Sequence, residues 1–146
     1  MFKYLFHAML FWLAICSSIV LSACGGSSPA PAKTEVIAVS FSPPSPATMQ
    51  VDERVSIDIT FTSGSAEGVR IWAIPEIVGN PGTGSYCASS VIAAKQGIAE
   101  RCIVVESDTS ATLPAVVNKV RLVIKNPDQS TTFYDELVDV NYTWTQ

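Results

Sequence analysis

Val55-Ser56-Ile57-Asp58-Ile59-Thr60-Phe61 puts a large apolar side chain at every second position and a polar one between each pair. Successive side chains of a strand point to opposite faces, so this stretch predicts a β-strand with one face in a core and the other in water. Upstream, Val36 to Phe41 alternates in the same way and places Ile37, Val39 and Phe41 on one face. That run stops at Ser42-Pro43-Pro44-Ser45-Pro46, where three prolines remove ladder donors and call for a break at a sheet edge. Met49 and Val51 resume the pattern briefly, and Asp52-Glu53 turns the chain into the strand quoted first.

Downstream, Ser63-Gly64-Ser65 and Glu67-Gly68 mark a turn. From Val69 to Val78 the chain carries Val69, Ile71 and Ala73 on one face and Arg70, Trp72 and Ile74 on the other, with an interruption expected at Pro75. Neither face is plainly the solvent one. The area a tryptophan buries places Trp72 in the core; the alternative sets it outside with Arg70 as part of a binding surface. Gly79-Asn80-Pro81-Gly82-Thr83-Gly84 then forms a loop without the helix and Lys-Ser/Thr of a phosphate-binding loop.

Two short apolar runs follow, Tyr86 to Ile92 and Arg101 to Val105, joined by Ala93 to Glu100. Val116 to Lys125 sets Val120, Leu122 and Ile124 against Lys119, Arg121 and Lys125, and the charged side reads as solvated. Asn126-Pro127-Asp128-Gln129-Ser130 has the length and chemistry of a hairpin turn. The chain returns through Phe133 to Trp144, where Val138, Val140, Tyr142 and Trp144 share a face. Asp135-Glu136 falls inside that run, which calls for a bulge or for a partner such as Arg121 across the hairpin. About seven short strands, regular turn signals and no amphipathic helix predict an all-β fold, a single antiparallel sandwich of two sheets.

The N-terminal segment has a different character. One positive charge, Lys3, precedes an apolar run from Leu5 to Val20 broken mainly by His7, Ser17 and Ser18, and small residues follow. Those are the three parts of a secretory signal. Leu21-Ser22-Ala23-Cys24 directly after the apolar run resembles the lipobox of bacterial lipoproteins. The resemblance implies removal of residues 1–23 and acylation of Cys24, with several acyl chains making membrane anchoring effectively permanent. Gly25 after the cysteine, where an Asp tends to retain such proteins in the inner membrane, implies an outer-membrane lipoprotein facing the periplasm or the surface. Residues 24–34 read as a tether. Gly and Ser make its first half flexible and two prolines stiffen the second, for a reach of at most about 30 Å. Residues 35–146 are then one ordinary domain.

Without its signal the chain keeps eight of its nine basic side chains against thirteen acidic ones, a balance near −5. Such a domain offers a phosphate backbone little, and no nucleic-acid partner is expected. Cys16 leaves with the signal and Cys24 carries lipid, so Cys87 and Cys102 remain and read as one disulfide in an exported protein.

His7 is the single histidine and also leaves with the signal, which removes Ser-His-Asp and Cys-His nucleophilic catalysis and the usual histidine zinc sites. Asp52, Glu53, Asp58, Asp135, Glu136 and Asp139 could supply a carboxylate pair, but adjacent acids on strands and turns are usually only solvated. No cofactor and no catalytic activity are expected. VSFSPPSPATMQVDERVSIDI, with its proline-rich break between two strands, and the closing hairpin from Lys119 to Trp144 resemble bacterial immunoglobulin-like and fibronectin type III-like domains. That resemblance implies an immunoglobulin-like sandwich serving as a spacer, adhesion module or binding scaffold. The expected function is therefore a non-catalytic envelope module that binds a protein or glycan, or simply stands in the envelope. The alternative is an inhibitor of an envelope-directed hydrolase that inserts the loop from Gly79 to Gly84.

Overall fold

A computed structural model of the protein describes residues 33–81, 84–107 and 112–146; the expected signal and lipobox with Cys24 and most of the expected tether lie outside them. In chain order the strands are β1 (Glu35–Ser42), β2 (Ala47–Gln50), β3 (Arg54–Thr62), β4 (Arg70–Ile77), β5 (Asn80–Pro81), β6 (Ser85–Tyr86), β7 (Gln96–Val104), β8 (Ala115–Lys125) and β9 (Thr132–Thr145). They form a four-stranded sheet in the order β1-β3-β7-β6 and a five-stranded sheet in the order β2-β9-β8-β4-β5. The order β1-β3-β7-β6 against β9-β8-β4 is that of the immunoglobulin sandwich, with β2 and β5 added at the two edges of the second layer.

The alternation of β3 is fulfilled. Val55, Ile57, Ile59 and Phe61 are buried while Ser56 and Asp58 point outward, and β3 lies between β1 and β7. Facing them across the sandwich are Ile71 and Ala73 of β4, Val120, Leu122 and Ile124 of β8, and Tyr142 and Trp144 of β9. The core tryptophan is Trp144, which has no exposed surface and whose indole donates to the Glu53 carbonyl at 3.1 Å. Tyr142 is equally buried, and its hydroxyl donates to the Pro43 carbonyl at 2.7 Å. Each large ring thus buries its apolar body and satisfies its polar tip.

Several expectations are corrected. The all-β sandwich of two sheets is as expected, with two-residue β5 and β6 among the nine segments of the described residues, but one pairing is parallel: beyond the proline-rich break the chain joins the other sheet, and β2 runs alongside β9 in the same direction. Ile37 does not share a face with Val39 and Phe41. A register shift between Val36 and Ala38 leaves Ile37 without a partner on β3 and 60% exposed, while Val36 packs on the core instead. Pro75 does not interrupt β4; it is buried in register with Val120, on a strand that has only the two-residue β5 beyond it in the sheet. The end of the next loop fits against it, because a Cβ on Gly84 would collide with the Pro75 ring. Gln96 to Glu100, expected in a connection, is the first half of β7.

Cys87 and Cys102 form the expected disulfide. Cys87 follows β6 and its amide donates to the Cys102 carbonyl at 3.0 Å, so neighbouring strands of one sheet bring the pair to a Cα separation of 5.1 Å.

Candidate functional site

Strand register assembles rows of side chains on the outer face of the five-stranded sheet. Across β4, β8 and β9 these rows are Arg70, Lys125 and Thr132; Trp72, Val123 and Asp135; Ile74, Arg121 and Leu137; and Glu76, Lys119 and Asp139. The alternation of β4 therefore resolves with Ile71, Ala73, Pro75 and Ile77 inward and Arg70, Trp72, Ile74 and Glu76 outward, each of the outward four half-buried. Trp72 is outside the core, against the expectation drawn from its area. Val123 points the same way and is nonetheless only 6% exposed, so the charged side of β8 is not simply solvated.

Trp72, Ile74 and Val123 floor a groove of about 260 Å³, with Tyr86 from the edge of the other sheet and Arg121, Lys125, Gln129, Thr132 and Asp135 around them. Arg121 and Asp135 sit diagonally across β8 and β9 and make a two-pronged pair, Nε to Oδ1 at 2.7 Å and Nη2 to Oδ2 at 2.6 Å. The hydrogen bonds and charge of Arg121 hold the Asp135 carboxyl below the ordinary aspartate range and in turn raise the Arg121 guanidinium. The partner expected for the acidic pair at Asp135-Glu136 is therefore present. Glu136 itself is exposed and accepts from the Tyr134 hydroxyl at 3.1 Å, and the register shifts fall to either side, one between Ile124 and Lys125 and one between Val117 and Lys119.

Arg70 shares the face but has another task. Its Nε donates to the Pro127 carbonyl at 2.9 Å and its Nη1 to the Ser89 carbonyl at 2.8 Å, clamping the β8–β9 turn to the segment after β6. The turn is also stiffened from within. Asn126 Oδ1 accepts from the Thr131 amide at 2.9 Å, Asn126 Nδ2 donates to Ser130 Oγ at 3.0 Å, and Asp128 Oδ1 accepts from the Ser130 amide at 2.9 Å. Gln129 reaches the groove from a left-handed position, φ 66°, in that turn. A wall held in this way loses little freedom when something docks against it.

The other residues singled out from sequence are dispersed. Cys24 lies outside the described residues, as do residues 82 and 83 of the glycine loop. The described parts of that loop turn back on the sheet, as β5 beside β4 and as the buried Gly84. Asp52 accepts from the Ser107 amide at 3.0 Å, Glu53 from the Gln50 amide at 2.7 Å, and Asp139 pairs with Lys119 at 3.7 Å. Asp58 is exposed on the outer face of the other sheet. Among the described residues no three His, Cys, Asp or Glu side chains lie close enough together to hold a metal ion.

Tyr86, Val123, Gln129 and Thr132 are the site residues that the sequence did not single out. Tyr86 comes from β6 and the other three from the β8–β9 hairpin, and only register and the strand order bring them to Trp72. The groove offers two aromatic rings, two hydroxyls, an amide and charged tips around an apolar floor, the mix of apolar lining and a few polar groups that small-ligand sites present. Compared with known proteins, the chain matches no family model, no curated protein and no solved structure.

Proposed function

We propose that this chain is a bacterial envelope lipoprotein, anchored by acyl chains on Cys24 to the outer membrane and facing the periplasm or the surface. Its sandwich acts without catalysis, binding an envelope component through the groove beside Trp72. The anchoring half of the reading is supported by Leu21-Ser22-Ala23-Cys24 directly after the apolar run. The binding half is carried by one observation: Trp72 keeps part of its ring in solvent on an outer sheet face and shares a groove with Tyr86, which is 43% exposed. Tryptophan and tyrosine dominate contact energies when a partner desolvates them, and a fold that needed Trp72 only for stability would place it where Trp144 is. Each half has its own test. Cys24→Ala should abolish labelled-palmitate incorporation and release the protein from the membrane fraction; incorporation equal to wild type would remove the anchor. Capture of envelope components from extracts should fall at least tenfold in Trp72→Ala with the fold intact, and unchanged capture would move the binding surface elsewhere.

A further inference from the structure

The ionic make-up of the groove differs from that of the protein around it. The whole chain carries a net charge of −4, yet the groove lining holds two cations, Arg121 and Lys125, against one carboxylate, Asp135. Arg121 spends its charge on Asp135 through both prongs of the guanidinium. Lys125 makes no contact ion pair among the described residues and acts on Asp135 only at a distance, and Glu76, whose charge reaches Arg121, lies outside the groove lining. One positive charge is therefore left over beside the Trp72 ring. The space of about 260 Å³ is below the 300 Å³ at which drug-sized pockets begin, which suits one or two sugar rings rather than a folded element. A peptide read through its main chain needs an open strand edge. The groove is floored by the outward side chains of β4 and β8, so what it presents to a ligand is rings and polar side-chain tips.

Resting on the reading of this groove as the binding surface, we infer that its ligand is an acidic saccharide: a sugar ring packs on Trp72, and its carboxylate meets Lys125. The hydroxyls of such a ring meet Gln129 and Thr132, which offer an amide and a hydroxyl at the rim. Preference for the acid over the neutral sugar comes from Lys125 and affinity for the ring from Trp72, so separate substitutions divide the two.

The test uses the full-length lipidated protein in detergent micelles and matched disaccharides, each neutral sugar beside its uronic acid, in the gluco, galacto and manno series. Titration calorimetry should find at least one uronic acid bound tenfold or more tighter than its neutral partner, with the gap narrowing as salt is raised. Lys125→Gln should abolish the gap by weakening the acid at least fivefold more than the neutral sugar, while Trp72→Ala should weaken both sugars with the circular dichroism spectrum unchanged. Equal affinity for acid and neutral partners, or an acid preference that survives Lys125→Gln, would overturn the inference. Absence of binding to all six disaccharides while Trp72→Ala still loses capture from extracts would overturn the saccharide and leave the binding groove standing. Selective binding of carboxylate-bearing peptides instead would do the same.

Discussion

Trp144 and Trp72 make opposite demands on the fold. Trp144 is wholly buried, tilted against Tyr142 with ring centroids 5.9 Å apart, and hydrogen-bonded to the Glu53 carbonyl. Removing it leaves a cavity and an unpaired carbonyl, and Trp144→Ala should lower stability by about 3–5 kcal/mol in urea denaturation. Trp72 keeps part of its ring in solvent and leaves no enclosed cavity, so Trp72→Ala should cost less, about 2 kcal/mol. Equal losses in the two variants would return Trp72 to a structural role.

Asp135 supplies a pH test at the same scale. Its folded pKa is depressed by the hydrogen bonds and charge of Arg121, so its contribution to stability is present above the unfolded aspartate value, ~3.9, and is lost as pH falls through the lower folded value. Bulk water screens this partly exposed pair, so the effect is small. The stability advantage of the parent protein over Asp135→Asn, read as the difference in urea midpoints, should shrink on acidification from pH 6 towards pH 2.5. A constant difference across that range would show that the pair does not stabilise the fold.

At the scale of elements, the disulfide closes a loop of 15 residues between β6 and β7. The chain-entropy model assigns such a loop about 3 kcal/mol, so reduction should shift the urea midpoint down by a corresponding amount while leaving the strand spectrum unchanged. An unmoved midpoint would mean that the ladder between β6 and β7 alone fixes the loop. The strands that alternation disclosed are those with one wet face and one dry face: β3, the β8 core residues Val120, Leu122 and Ile124, and the end of β9. Alternation failed where a strand departs from that condition. The first half of β7 carries Gly97 and an outward Ile98 that is 66% exposed, with only the small Ala99 facing in. β4 has apolar residues on both faces because one lines the core and the other lines the groove, so the pattern could not say where Trp72 points. The groove was illegible for a related reason. Positions 72, 123 and 135 become neighbours only through register across three strands, and a one-residue slip in any of them would send its side chain to the other face.

For the whole molecule the question is where the self-sufficient unit begins. The buried cluster draws on β2, β3, β4, β7, β8 and β9, β1 packs against it, and among the described residues the first apolar side chain that joins it is Val36. Thr34 is a special case. It is 9% exposed, and its hydroxyl accepts from the Gly64 amide at 3.2 Å, closing the turn after β3 where Ser63 is itself buried. A fragment of residues 33–146 should therefore unfold in one cooperative transition, with calorimetric and van't Hoff enthalpies equal as expected for a single small domain. A fragment of residues 35–146 keeps every core side chain and all of β1 but leaves the Gly64 amide without its partner, and should be less stable by about 1 kcal/mol, the net value of one such hydrogen bond. Equal stability would show that water replaces the Thr34 hydroxyl. A fragment of residues 33–146 without a cooperative transition would mean that the sandwich depends on residues ahead of it, and that the tether reading of residues 24–34 is wrong.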